Sequence, residues 1–156
     1  MHWKARREWY YNQPLLARTL DVARRLRIPV LLHTGDYKEC HARVFMDLCF
    51  EHPDLTFVLA HGWPVGETME VLAQCENVCV DTAFMPVKNA VSLVQQGFAG
   101  RMLFGTDVPI NQLFYKDLTT ADYIKNCLTA LQSELPPESF TQILTNTIYY
   151  PHPCSE

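Results

Sequence analysis

The chain has 156 residues, of which 48% are hydrophobic and 19% charged, and its formal net charge is -4. This length and apolar content suit one folded domain with a sizeable core. Apart from the stretches Lys4 to Arg7 and Arg24 to Arg27 the basic residues are scattered, which argues against a nucleic-acid-binding protein. No apolar stretch approaches the ~20 residues that span a bilayer, so we expect a soluble protein without a membrane partner.

The cysteines indicate a reducing compartment. The chain has six of them, with no Cys-x-x-Cys pair, at positions 40, 49, 75, 79, 127 and 154. Most lie in apolar segments where a small buried thiol packs well, so we interpret them as reduced and structural. Cys75 and Cys79, the close pair, would have to bridge from a helix end into a strand. Because no signal peptide is recognisable at the N-terminus, we expect a cytoplasmic protein.

Apolar periodicity predicts alternating helices and strands along the chain. An amphipathic helix is expected to begin at Asn12-Gln-Pro14 and to end near Leu26. Further helices are predicted over 39–51, 66–75, 87–98, 119–134 and 137–149, and strands over 28–33, 55–61, 77–81 and 102–107. A long loop is expected around Pro109 to Tyr115. We predict one domain over residues 1–150, followed by a loose tail over 151–156.

The strands indicate an α/β fold with a parallel sheet. Their near-continuous apolar residues are typical of strands that are covered on both faces. The strand ends, at residues 33, 61, 81 and 107, leave room for one right-handed crossover between each pair. Half of a (β/α)8 barrel would have this pattern, and so would a small open sheet.

Three of the predicted strands end on a residue that can bind a metal, namely His33, His61 and Asp107. In a parallel sheet every strand delivers its last residue to the same edge, so these side chains would converge. Imidazole and carboxylate are donors that Zn²⁺ accepts, and the pattern predicts part of a metal-type active site. Asp81 also ends a strand, but Asp81-Thr82 equally suits a loop turn, and we leave it off the main list of site residues.

The same strand ends carry a family resemblance. His33-Thr-Gly35, Ala60-His61-Gly62, Val80-Asp81-Thr82 and Leu103-Phe-Gly-Thr-Asp-Val-Pro109 resemble strands five to eight of the amidohydrolase superfamily, in its amidohydrolase-related metal-dependent hydrolase branch. The stretch from Met1 to Pro14 resembles the segment that leaves strand four. The resemblance implies the C-terminal half of a TIM-type (β/α)8 barrel. Strands one to three of the family pattern, with the His-x-His metal pair of strand one, have no counterpart here.

The resemblance also implies roles for the three residues. His33 would be a metal ligand, and Asp107 would contact the metal or its water and act as general base. His61 would bind a second metal or polarise the substrate carbonyl. The implied cofactor is a divalent metal, Zn²⁺ before others, whose bound water has a pKa near ~7 and becomes a hydroxide nucleophile. The expected reaction is hydrolysis of a C–N or C–O bond in a small-molecule substrate.

Two alternatives stay open at this point. Some relatives in the family use the metal site for C–C cleavage, so a decarboxylase is the alternative within the family. The other alternative is that the chain is not an enzyme. It would then be a non-catalytic, truncated remnant, or a half barrel whose exposed strand edges bind another chain. That partner would be a second copy in a homo-oligomer or a complementing N-terminal half. The sequence does not indicate which substrate is used.

Overall fold

The structure of the chain, a computed structural model, describes residues 13–146. The segment before residue 13, which contains most of the stretch that resembles the strand-four region, lies outside the described residues. The predicted tail over 151–156 lies outside them too, as does the end of the last predicted helix.

Four parallel strands form one sheet in the order β1-β2-β3-β4. They are β1 Val30–His33, β2 Phe57–Ala60, β3 Val78–Asp81 and β4 Met102–Leu103. In the register of the sheet His33 lies opposite Ala60, and Asp81 lies opposite Leu103. The predicted α/β fold with a parallel sheet is therefore confirmed, and the carboxyl ends of all four strands share one edge.

One helix precedes the first strand, and the others connect the strands or follow the last one. They are α1 Gln13–Leu26, α2 Met46–Glu51, α3 Val65–Gln74, α4 Val87–Gln95, α5 Asn111–Phe114, α6 Thr120–Glu134 and α7 Pro137–Thr145. Short 3-10 turns precede α2 and β4. Thr119 caps α6 by accepting a hydrogen bond from the backbone N–H of Asp122.

The predicted helix over 39–51 was wrong in its first half. Residues 38–45 form two 3-10 turns, and His41 between them has an extended backbone. The N–H of Ala42 donates to the carbonyl of Trp63 at 3.0 Å, which holds this segment against the loop that follows β2. A backbone group used in that way cannot also continue an α-helix, so the α-helical part begins at Met46.

Strand β4 is shorter than predicted. The pattern suggested 102–107, but the N–H of Phe104 donates to Ile143 of α7 at 3.3 Å, and the N–H of Gly105 donates to the Thr82 hydroxyl at 3.1 Å. The ladder to β3 therefore ends at Leu103. The predicted loop from 109 to 115 also contains the short helix α5.

The core lies between the sheet and the helices. Phe57 and Leu59 of β2, with Val80 of β3, are fully buried and pack against helix residues such as Leu72 and Leu93. Burying a side chain of this size stabilises the fold by about 1.5–3 kcal/mol. This layer accounts for the alternate apolar residues of the strands that face the helices.

The opposite face of the sheet is open at the β1 end. One row of side chains on this face crosses three strands, because Leu31 is paired with Val58 and Val58 with Cys79. Leu31 is 66% exposed, whereas its neighbours Val30 and Leu32 pack against the core. Because side chains alternate along a strand, His33 shares this open face with Leu31. In a closed barrel this face would look inward.

The cysteines in the described part of the chain are reduced thiols. Cys75 and Cys79 are both unbridged thiols, as expected. Burial raises the pKa of Cys49 to about 12, which keeps it a protonated, structural thiol.

Between residues 13 and 146 no helix has the length and apolar character needed to cross a membrane.

Candidate active site

The two predicted histidines meet at the carboxyl edge of the sheet. His33 is the last residue of β1, and it is paired with Ala60, so His61 follows directly on the neighbouring strand. The two imidazole rings lie edge to face, with their centroids 4.9 Å apart. The structure therefore brings these two side chains together, as the strand register predicted.

The ring of His61 is oriented by a backbone carbonyl. Its Nδ1 lies 2.9 Å from the carbonyl oxygen of Ala83. A carbonyl can only accept, so Nδ1 carries the proton and donates it. In the neutral ring Nε2 then holds a lone pair, which can bind a metal or accept a proton. Histidines that bind metals in proteins are usually oriented by a hydrogen bond of this kind.

Asp107 lies beyond the end of β4 and lines the same cavity as the two histidines. The cavity has a volume of about 520 Å³, which is within the usual range for small-molecule sites. Asp107 itself is exposed. The structure thus places all three predicted site residues around one cavity, at the end of the sheet where the sequence placed them.

Aromatic side chains wall this cavity. Besides the two histidines and Asp107, five aromatic residues line the cavity, namely Tyr37, Trp63, Phe84, Phe114 and Tyr115. The Phe84 ring lies 6.1 Å from that of His61 and 5.5 Å from that of Phe114, edge to face in both cases. A polar edge beside an aromatic wall suits a small molecule with one polar, reacting end and an apolar body.

Strained backbone conformations concentrate at this edge. His61, Phe84 and Asp107 have φ angles of 70°, 51° and 54°, and they follow β2, β3 and β4 respectively. The fourth such non-glycine residue in the described chain, Arg27, ends α1 instead. Residues in this left-handed region cost about 1–3 kcal/mol each and cluster at functional sites, because they hold side chains where a function requires them.

Gly62 allows the chain to leave His61 in this way. Its φ is +57°, and a Cβ atom added there would lie 2.7 Å from both Met85 Cε and Val80 Cγ2. Both the conformation and the space therefore require glycine. The Ala60-His61-Gly62 motif thus has a steric reason as well as a chemical one.

Two buried threonines join neighbouring strand ends, and sequence reasoning gave them no role. The Thr34 hydroxyl donates to the carbonyl of Ala60 at 2.5 Å and accepts from the N–H of Trp63 at 2.7 Å. The Thr82 hydroxyl bonds to Gly105 in the same manner. The signal in the sequence was a threonine directly after a strand-ending His or Asp, since such a hydroxyl can satisfy backbone groups at the edge.

Asp81 has no predicted role in the site, yet its carboxylate binds the backbone of His61. Its Oδ1 accepts from the N–H of His61 at 2.9 Å and from the N–H of Ala83 at 3.0 Å. Burial raises the pKa of Asp81, and the two N–H groups oppose that shift only in part. Gly105 makes room for it, because a Cβ at that position would come within 3.2 Å of Asp81 Cβ and Cγ.

The donor set suits a divalent metal but is incomplete in the described chain. Two neighbouring imidazoles, one of them oriented by a carbonyl, and a nearby carboxylate are the chemistry that zinc prefers. Over residues 13–146, however, no three His, Cys, Asp or Glu side chains are grouped closely enough to hold a metal ion. Asp107 shares the cavity with the histidines without joining them in such a group. Their roles as metal ligands therefore stay a prediction.

Parallel βα units with polar residues at the carboxyl edge are the arrangement on which (β/α)8 barrel enzymes build their active sites. A family model described as Amidohydrolase matches residues 2–148. The chain therefore belongs to this amidohydrolase family, and the resemblance inferred from the strand ends is confirmed. Comparison with curated protein sequences finds no match.

Three solved structures share the fold. A 2,6-dihydroxybenzoate decarboxylase from Rhizobium is 16% identical with a TM-score of 0.56, over 86% of this chain and 54% of that chain. A 2,6-dihydroxybenzoate decarboxylase in complex with 2,6-dihydroxybenzoate is also 16% identical with a TM-score of 0.55, over 86% and 53%. An amidohydrolase from Burkholderia multivorans with bound zinc is 12% identical with a TM-score of 0.57, over 89% and 57%.

These likenesses show the fold. The chain spans about half the length of the solved structures that it matches. The predicted half of a TIM-type barrel is thereby confirmed. The family and its structural neighbours are enzymes, both amidohydrolases and decarboxylases.

Proposed function

We propose that this chain carries the C-terminal part of the active site of a metal-dependent hydrolase, in which an activated water attacks a C–N or C–O bond of a small molecule. The observation that carries the proposal is the meeting of His33 and His61, with ring centroids 4.9 Å apart, in a cavity that Asp107 also lines. Membership of the amidohydrolase family and a zinc-bound structural neighbour support it.

In this proposal His33 and Asp107 hold a divalent metal, Zn²⁺ before others, and His61 either holds a second ion or acts on the substrate. A bound Zn²⁺ lowers the pKa of its water to near ~7 and so supplies a nucleophile at neutral pH. The remaining ligands would come from the rest of the barrel, since the chain spans about half the length of its structural neighbours.

Asp107 and His61 have separate acid-base tasks. Asp107 is exposed to the cavity, where its carboxylate accepts a proton from the attacking water. His61 donates its Nδ1 proton in a hydrogen bond to the Ala83 carbonyl, 2.9 Å away. Its Nε2 is therefore the ring atom that contacts the substrate. When Nε2 is protonated the ring donates a hydrogen bond to a substrate carbonyl and stabilises the developing negative charge.

The aromatic wall orients the substrate. Trp63, Phe84 and Phe114 present apolar rings to the same cavity as the polar residues. A substrate body packed against them excludes water from the reacting end and turns that end toward His61 and Asp107. Orientation of this kind contributes to the rate by holding the reacting atoms in place.

A decarboxylase is the second candidate, because two of the three structural neighbours are 2,6-dihydroxybenzoate decarboxylases. The same polar edge would hold the carboxylate that leaves. Incubation of the chain and Zn²⁺ with amides, esters and aromatic carboxylates separates the two reactions, since only the second releases carbon dioxide.

The third candidate is a non-catalytic half barrel that binds a partner. Exposed Leu31 and the outer edge of β1 are the surfaces that another half would cover. The partner would be a complementing N-terminal half or a second copy of the chain.

Zinc binding tests the main proposal directly. Calorimetric titration of the full chain should show one class of site that is weakened at least about tenfold in His33→Ala and in Asp107→Ala, because each loses a direct ligand. His52→Ala, a histidine at the end of α2 that bonds to Arg24, is the matched control and should bind normally. Equal affinity in all four proteins would contradict the proposal.

A further inference from the structure

We propose that Asp81 is a positioning residue, which fixes the orientation and the tautomer of His61 and so keeps Nε2 of that ring accessible to the cavity. The inference deepens the proposed function and rests on it for its meaning, since a fixed ring matters only if His61 acts there.

The hydrogen bonds form a closed circuit. Asp81 Oδ1 accepts from the N–H of His61 at 2.9 Å and from the N–H of Ala83 at 3.0 Å. The carbonyl of Ala83 accepts from Nδ1 of His61 at 2.9 Å. One oxygen atom thus holds the backbone of the histidine and also the residue whose carbonyl orients its ring.

The backbone at both ends of the circuit needs such support. His61 has a φ of 70°, and Phe84, directly after Ala83, has a φ of 51°. Such conformations persist only where the surroundings hold them. Without the carboxylate, the N–H groups of His61 and Ala83 would lose their partner at a half-buried edge, which is costly. The turn would then relax, and the Ala83 carbonyl would leave its place opposite Nδ1.

A carboxylate suits this position better than a hydroxyl. An ionised oxygen forms stronger hydrogen bonds with N–H donors than a neutral oxygen does, and here one oxygen serves two donors. Gly105, which follows β4, lies against Asp81. A Cβ atom added at Gly105 would lie 3.2 Å from Cβ and Cγ of Asp81, which shows how closely the two backbones pass. Asp81 is therefore held between the ends of β2 and β4.

The alternative role for Asp81 is direct proton transfer, for which its charge would be essential. The two roles respond differently to Asp81→Asn. The amide oxygen of asparagine can still accept from both N–H groups, whereas it cannot act as a base. Asp81→Ala removes the acceptor altogether.

The test observes the ring of His61 in the metal-free full chain, labelled with ¹⁵N. At about pH 8.5, where histidine is neutral, the ¹⁵N shifts of the two ring nitrogens report which one carries the proton. We expect the wild type and Asp81→Asn to show the single Nδ1–H form. Asp81→Ala should lose it and give shifts averaged between the two tautomers. Asp117→Ala, which removes an exposed loop carboxylate, is the control and should match the wild type.

A second variant covers the case in which Asp81→Ala does not fold. Gly105→Ala keeps the carboxylate but pushes against Asp81 Cβ and Cγ, so it should average the His61 signals in part. Unchanged His61 signals in folded Asp81→Ala or folded Gly105→Ala would overturn the proposal. An Asp81→Asn protein that behaves like Asp81→Ala would overturn the hydrogen-bond mechanism of this positioning, because charge rather than hydrogen-bond acceptance would then be what matters.

The outcome is independent of the reaction. If the chain binds no zinc and hydrolyses nothing, the proposed function fails while the tautomer measurement still stands on its own. If zinc binds normally but the ring of His61 is unaffected by Asp81→Ala, the positioning role fails alone.

Discussion

Replacement of Gly62 by alanine should destabilise the protein more than the same change at Gly66 or Gly97. The new Cβ would lie 2.7 Å from Met85 Cε and from Val80 Cγ2, closer than real Cβ contacts allow. The residue would also have to keep a φ of +57°. The left-handed conformation costs an alanine about 1–2 kcal/mol, and overpacking a well-filled core costs about 1–3 kcal/mol more. The free energy of unfolding should therefore fall by about 2–5 kcal/mol.

Substitutions at two other glycines separate the conformational cost from the packing cost. Gly97 has a φ of +85°, but a Cβ added there would have no atom within 4 Å, so Gly97→Ala should lose only the conformational part, about 1–2 kcal/mol. Gly66 lies in α3, also with nothing within 4 Å, and alanine there should stabilise the protein by about 0.5–1 kcal/mol. The difference between the Gly62 and Gly97 variants measures the packing cost alone.

Urea unfolding, followed by circular dichroism, gives the three values on one scale. The order of stability should be Gly66→Ala above wild type, then Gly97→Ala, then Gly62→Ala. Equal losses at Gly62 and Gly97 would refute the reasoning, because the contacts with Met85 and Val80 would then have no cost. Since Gly62 follows His61, the Gly62 variant should also bind zinc less tightly, whereas the Gly97 variant should not.

Particular contacts elsewhere in the chain give four more expected outcomes. Thr34→Val should lower the free energy of unfolding by about 1–3 kcal/mol, because it leaves a backbone N–H without its acceptor; no loss in urea unfolding would contradict this. Leu31→Lys should reduce self-association of the open sheet in light scattering, and an unchanged mass would argue that the partner binds elsewhere. Zinc binding should weaken in calorimetry as the pH falls through the range in which histidines protonate, and His33→Ala should flatten that dependence, whereas a pH-independent affinity would exclude histidine ligands. Cys49, with its pKa raised to about 12, should react with iodoacetamide only after unfolding, and rapid labelling of the native protein would show that it is not buried.

Much of the fold was predictable because it depends on local patterns. Near-continuous apolar strands such as 57–60 can be recognised from composition, and single helices between them imply parallel crossovers. The strand ends then place His33 and His61 at one edge without any knowledge of distant contacts.

The errors occurred where a backbone group binds a partner far along the chain. Strand β4 stops because Phe104 donates to Ile143, and the helix predicted from residue 39 is broken because Ala42 donates to Trp63. Neither partner can be identified from the local sequence, since both arise only when the helices pack onto the sheet. The extent of the last helix, and the domain boundary at residue 150, stay predictions.

By itself the sequence determined that the chain is a parallel α/β unit that resembles the amidohydrolase family, and it predicted that His33, His61 and Asp107 lie at the carboxyl edge, because parallel strands bring the residues that follow them to one edge. Only the tertiary structure decided how that edge is held. The carboxylate of Asp81 binds His61 and Ala83, and Thr34 binds Trp63. These residues act through hydrogen bonds between strand ends, and such bonds exist only once the strands lie side by side.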